Sequence, residues 1–283
     1  MPPARVWRAG RFELVLDRPL VMGIVNVTPD SFFDGGRDAS AAQRHCDALV
    51  REGADILDIG GESTRPGASQ PTAAEELARV LPVVLHACTL GVAVSVDTSE
   101  PDVMRAVLDA GADIVNDVRA LSRPGAIDAV AAHPSAGACL MHMQGEPQTM
   151  QRAPTYDDVV VDVAAFLARR ASAAEHAGIA RERIVVDPGI GFGKTVEHNL
   201  ALLARQHELI KRLPYPLLVG WSRKSTLGAV TARKVEDRMP ASVVAALAAA
   251  VRGARVLRVH DVAATADALA VWRAAGFAWT TIR

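Results

Sequence analysis

The residues able to do chemistry fall in short blocks, each placed where an apolar run stops. Asn26 closes VMGIVNV (21–27) and leads into a loop holding Thr28, Pro29, Asp30, Ser31, Asp34 and paired glycines. Asn26 offers a neutral oxygen to a hard cation, flanked by Asp30 and Asp34; Mg²⁺ takes few protein ligands and fills its shell with water and substrate phosphate. Arg258 and His260 stand two residues apart in VLRVHD (256–261). In a strand such side chains point the same way, and the pair suits a phosphate-bearing ligand. In GWSRKSTLG (220–228), Lys224 and Ser225 fall where a strand gives way to a short helix, whose free N–H groups favour an anion such as a carboxylate. Lys224 can alternatively donate to a carbonyl-like oxygen. Asp97, Asn116, Asp187 and Lys224 together supply donors and acceptors of both kinds, the set that an aminopyrimidinone edge demands.

DPGIGFGKT (187–195) resembles a nucleotide-binding loop at first sight, but G-x-x-x-x-G-K-[ST] needs glycine where Pro188 stands. Proline supplies no N–H to a phosphate cradle. The glycines instead let the backbone approach a flat ligand, with Asp187 as its hydrogen-bonding partner and Phe192 as an apolar wall.

These residues need a frame that gathers them. Val-, Ile- and Leu-rich runs recur at 21–27, 56–60, 92–97, 113–118, 138–143, 184–190, 216–222 and 256–261. Ala-rich stretches with helical spacing lie between them. Continuous apolar strands alternating with helices predict a parallel sheet buried on both faces, and eight such units predict an α/β fold of the (β/α)8 barrel type. The strands end in Asn26, Asp58, Asp97, Asn116, His142, Asp187, Ser222 and the pair Arg258/His260. A single strand-end Asp or Asn often only caps the next helix. Polar residues at every strand end predict a cleft on the face where barrel enzymes build their sites. VWRAGRFELVL reads as a small hairpin covering the bottom of the barrel, and no linker or composition shift divides the chain. One domain over 1–283, with residues 1–18 as its N-terminal extension, is the expectation.

The charge balance, 31 basic against 32 acidic residues, argues against a sequence-independent grip on nucleic acid. Cys46, Cys88 and Cys139 show no CxxC or zinc-ligand spacing and read as reduced thiols. The N-terminus carries arginines and a carboxylate where a signal peptide needs an apolar core, and no apolar run reaches the ~18 residues of a membrane span. A cytoplasmic protein is expected.

From about residue 11 to its end, the chain resembles the bacterial dihydropteroate synthase family. The likeness rests on NVTPDSFFDGG, DIGGESTRPGA, SVDTS, NDVRALS, LMHMQGEPQTMQ, DPGIGFGKTVEHNLALL, GWSRKS and RVHDV, in one order. The resemblance implies a (β/α)8 transferase of folate synthesis. It would condense 6-hydroxymethyl-7,8-dihydropterin pyrophosphate with p-aminobenzoate to 7,8-dihydropteroate, assisted by Mg²⁺, through an SN1-like loss of pyrophosphate. It further implies a pterin pocket at Asp97, Asn116, Asp187 and Lys224, with Arg258 stacking on the ring. The pyrophosphate and metal end would fall on Asn26, Arg258 and His260. The p-aminobenzoate subsite would be Thr64, Pro66, Phe192, Lys224 and Ser225, and Asp34 and Arg65 would lie in mobile loops that close over the reacting centre. Sulfonamide inhibition and a homodimer are implied as well, the latter through the apolar faces around 243–251 and 263–272.

Two departures are visible. Ala241 precedes Ser242 where the family often carries Gly-Ser, which should alter local packing only, and Phe33 stands where a small residue is commoner, which bears on loop closure. Two other readings share the strand-end Asp and Asn set: a barrel for methyl transfer from methyltetrahydrofolate to a corrinoid protein, and a catalytically silent pterin-binding paralogue. The first has no need of GESTRPG, SRKS or the Arg258/His260 pair.

Overall fold

A computed structural model describes residues 5–28, 39–62, 71–146 and 149–279. Asp30, Phe33, Asp34, Thr64, Arg65 and Pro66 therefore lie outside the described residues. The chain opens with an antiparallel hairpin of β1 (Val6–Ala9) and β2 (Phe12–Val15). Gly10 turns it with φ +57°, and a Cβ there would sit 2.6 Å from the Asp113 Cα, so both the dihedral and the space call for glycine.

Eight parallel strands follow: β3 (Leu20–Asn26), β4 (Ile56–Gly60), β5 (Ala93–Asp97), β6 (Ile114–Asp117), β7 (Gly137–Met141), β8 (Ile184–Asp187), β9 (Leu218–Val219) and β10 (Val256–Val259). They pair in the order β8-β7-β6-β5-β4-β3-β10-β9. The sheet closes on itself through a single parallel bridge between Val186 and Leu217. The expected barrel is present, with shorter strands than the apolar runs suggest. β8 stops at Asp187 because Pro188 has no N–H to continue a ladder, and β9 shrinks to two residues at the closing seam.

The helices α1 (Ala39–Arg51), α2 (Ala73–Ala87), α3 (Pro101–Asp109), α4 (Ala126–Ala131) and α5 (Val159–His176) alternate with the strands. One stretch after β8 is broken at Arg205 into α6 (Val196–Ala204) and α7 (Gln206–Arg212). Then come α8 (Ser225–Thr231), α9 (Met239–Val251) and α10 (Val262–Ala274). Local chemistry starts several of them. Thr72 and Glu75 form a reciprocal capping box on α2, Thr195 and His198 do the same on α6, and Asp158 accepts from the N–H groups of Val160 and Val161 to open α5.

Side chains alternate in and out along each strand. The outward row, including Val25, Leu57, Val94, Val115, Leu140, Val186 and Leu257, joins the core beneath the helices. The lowest inward row supplies one apolar residue per strand: Met22, Ile56, Ala93, Ile114, Cys139, Val185, Leu218 and Val256. Trp7, Ala9, Leu16 and Leu20 close that layer from below, so the hairpin plugs the bottom as expected. It is pinned there by Trp7 Nε1 donating to the Arg183 carbonyl at 3.0 Å and by Arg11 bonded to both oxygens of Asp113. Among the described residues no helix is long and apolar enough to cross a membrane.

Candidate functional site

Two residues further along each strand, the inward row becomes Ile24, Asp58, Ser95, Asn116, Met141, Asp187, Gly220 and Arg258. Water-seeking groups thus stand directly on the dry layer, and they satisfy one another. Asp58 is fully buried; its Oδ1 accepts from Ser95 Oγ at 2.6 Å, and its Oδ2 accepts from Asn116 Nδ2 at 3.1 Å and Arg258 Nε at 2.6 Å. The far side of the guanidinium, Nη2, donates to Asp97 Oδ2 at 2.7 Å. Arg258 thereby links a carboxylate within the barrel to one at its mouth. Asp58 carries no ligand role in the family reading. By its sequence Asp58 counts among the strand ends, whereas it lies two residues before the end of β4, inside the barrel. Period-two alternation from Ile56, inside the apolar run ILDIG, is the signal for its inward-facing place.

Asp187 accepts from the Gly189 N–H at 2.7 Å. Burial pushes its carboxyl up to about 6, against the pull of that N–H and of Lys224, Arg258 and Lys194. Burial pushes Asp97 up to about 7, with Arg258 opposing and Asp58 adding to the rise. The same burial, reinforced by Arg258, lowers Lys224 to about 8. Its Nζ sits 4.3 Å from the centroid of the Phe192 ring, a cation over a π face. Lys224 occupies the N-cap position of α8, with Ser225 exposed beside it, as the sequence led one to expect.

Next to β9 in the barrel order come β10 and β3, and half-buried Asn26 ends β3. His260 follows β10, where the Ser222 hydroxyl accepts from its backbone N–H at 3.1 Å and meets Nδ1 at 3.0 Å. A serine that accepts there can donate to Nδ1, leaving the imidazole proton on Nε2. Burial, with Arg223 and Arg258 nearby, drives His260 down to about 3, so the imidazole is neutral at pH 7. It therefore enters the site as a hydrogen-bond donor and carries no positive charge of its own. The turn is clasped by Arg223, which pairs with Asp261 at 2.7 Å and takes φ +58°. Ser242 Oγ accepts from the Arg223 N–H at 2.9 Å and donates to the Arg238 carbonyl. Ala241 before it only packs against the core.

Asp97, Asn116, Asp187, Lys224, Phe192 and Arg258 thus meet at one mouth, with Asn26 and His260 on its rim. Among the described residues no three His, Cys, Asp or Glu side chains form a metal-holding group. A divalent cation here would depend on Asn26 Oδ1, water and ligand oxygens, which is the manner of Mg²⁺ rather than of a metal held in an all-protein cage.

A sealed parallel barrel whose C-terminal mouth carries buried carboxylates, an amide and two cations has the architecture of a pterin-binding enzyme. The family model described as "Pterin binding enzyme" matches residues 22–260. The dihydropteroate synthase of Neisseria meningitidis serogroup B is 52% identical over 278 residues, covering 96% of this chain and 98% of its own. The chain belongs to the dihydropteroate synthase family, transferases of folate biosynthesis. The structure of Burkholderia cenocepacia dihydropteroate synthase complexed with 7,8-dihydropteroate has a TM-score of 0.88 at 53% identity, covering 98% of both chains. The Yersinia pestis enzyme with a sulfonamide drug complex has a TM-score of 0.90 at 44% identity, covering 96% of this chain and 99% of that one.

Proposed function

We propose that this chain joins 6-hydroxymethyl-7,8-dihydropterin pyrophosphate to p-aminobenzoate, giving 7,8-dihydropteroate and pyrophosphate. The observation that carries the assignment is the bonded set Asp58, Asn116, Asp97 and Arg258 over a sealed apolar floor, with Asp187 and Lys224 beside it. In this reading the pterin edge meets Asp97, Asn116, Asp187 and Lys224, and its ring lies along Arg258. Three carboxylates, Asp58, Asp97 and Asp187, face two cations, Arg258 and Lys224. The residual negative charge favours a cationic methylene as pyrophosphate departs, so the substitution is SN1-like. Arg258 and the His260 N–H receive the departing oxygens, with Asn26 beside them. Bound Mg²⁺, held by Asn26 and pyrophosphate oxygens, would supply further charge neutralisation there. The arylamine needs no strong base, since it is neutral at pH 7, and Phe192, Lys224 and Ser225 orient it, together with Thr64, Pro66 and the loop residues Asp34 and Arg65.

We further take the hairpin and barrel to work as one domain, which the buried Trp7 supports. Exposed Val244 on α9 and Val271 on α10 fit a homodimer contact. Free thiols at Cys46, Cys88 and Cys139 fit the cytoplasm. Sulfonamides should compete at the p-aminobenzoate subsite. Purified protein given pterin pyrophosphate and Mg²⁺ tests the whole assignment. Dihydropteroate and pyrophosphate formed one to one, only when p-aminobenzoate is added, support it. Tight pterin binding with no product marks a silent paralogue, and methyl transfer to a corrinoid marks the other barrel reading.

A further inference from the structure

His142 and Gln151 of the block LMHMQGEPQTMQ and the lysine of GFGK have no part in the reaction as described, yet all three are bonded at the loop that carries Phe192. The backbone of 189–193 belongs to no strand or helix, and side chains hold four of its five carbonyls. Lys194 Nζ donates to the carbonyls of Gly189 and Phe192, each at 3.0 Å. Tyr156 donates its hydroxyl to the Gly193 carbonyl at 2.7 Å, and Gln151 Nε2 donates to that of Gly191. Lys194 Nζ also meets His142, at Nδ1 (2.9 Å) and at the carbonyl oxygen (3.4 Å), which ties the loop to the end of β7. Gln144 exchanges hydrogen bonds with both backbone groups of Thr155, closing the supporting segment on itself. Two glycines make the fit possible. A Cβ on Gly189 (φ +67°) would overlap the His142 carbonyl, and one on Gly193 (φ +60°) would overlap that of Gln144.

Lys194 is 3% exposed, and its three donors face four acceptors, an arrangement costly to bury unless it is satisfied. Burial lowers it to about 7, and burial with Lys194 alongside lowers His142 to about 3, so His142 is a neutral acceptor. What the loop delivers is Phe192, whose ring lies beneath the Lys224 ammonium.

We propose that residues 142–146 and 149–156 form a frame that, through Lys194, Gln151 and Tyr156, positions the 189–193 loop and so sets the p-aminobenzoate subsite without touching either substrate. This rests on the reading of Phe192 and Lys224 as that subsite. Lys194, Gln151 and Tyr156 are positioning residues, and their loss should separate the two substrates, since the pterin groups stand mainly on strands.

The test uses the full chain with Lys194→Met, Tyr156→Phe and, as a check on the subsite itself, Phe192→Ala. KM for each substrate, kcat and the melting temperature are measured for all three. A small misplacement of the wall should raise KM for p-aminobenzoate about tenfold in K194M and by a smaller factor in Y156F. KM for the pterin pyrophosphate should stay within about twofold of the parent. Equal rises in both KM values, or none, overturn the frame. If K194M does not fold, Y156F decides by the same criterion, because it deletes one hydroxyl and nothing else. An effect in F192A with none in the other two overturns the frame and leaves the subsite standing. No effect in F192A overturns the subsite and the frame's purpose together.

Discussion

The two ends of the barrel are built from the same strands and differ by one step of the pleat. At the bottom, the inward row from Met22 round to Val256 is apolar and capped by Trp7; at the top, the next row holds Asp58, Ser95, Asn116, Asp187 and Arg258. The lower layer gains by leaving water. The upper one holds charges in a buried place, which is worth its cost only when every group is paired or a ligand completes the set. Stability and chemistry are thus stacked about 7 Å apart, two strand residues of ~3.3 Å each.

If that division is sound, substitutions at the two ends should fail in different measurements. The largest effect belongs to the mouth. Lys224→Ala or Asp187→Ala should lower kcat/KM by at least about 10³-fold, in line with loss of a preorganised charge, while thermal unfolding moves little; turnover near that of the parent would break the assignment. At the floor, Trp7→Ala should destabilise by about 3–5 kcal/mol in denaturant titration and leave both KM values unchanged in the protein that remains folded. An altered KM there would mean that the floor reaches into the site.

A smaller effect sharpens the boundary. Glu76, in the first turn of α2, is buried, and among the described residues its carboxyl oxygens lack a well-formed hydrogen bond, with Thr98 the nearest donor. Burial raises its pKa to about 7 against the pull of the Thr98 hydroxyl, and the charge of Glu62 adds to the rise. Its folded value lies above its unfolded one, so its contribution to stability is complete below about pH 4.5 and is lost as the pH rises through about 7. Glu76→Gln should therefore match the parent near pH 4 and exceed it in melting temperature at pH 8. Parallel melting curves across that range would show that the carboxyl is already ionised and paired.

Much of this was legible in the chain itself. Apolar runs of strand length, helical spacing between them and a polar residue at each strand end gave the barrel, its hairpin floor and the face on which the polar groups gather. The strand-end residues Asp97, Asn116, Asp187, Arg258 and His260 do converge. What stayed hidden depends on contacts that no local pattern encodes. Asp58 takes its importance from Ser95, Asn116 and Arg258, which lie 37, 58 and 200 residues away. Lys194 has no assigned part in the sequence, where Pro188 rules out a phosphate loop, and gains one only when the fold brings His142 against it. The neutrality of His260 is likewise a product of burial beside Arg223 and Arg258.

The plug also has a consequence in time. Trp7 is seated by a carbonyl 176 residues further along, at Arg183. At ~5–20 residues per second of synthesis, that partner emerges roughly 10–35 s after the tryptophan itself. The first strand pair to leave the ribosome must wait with its indole unburied, and the floor of the barrel is among the last parts of the protein that can be finished.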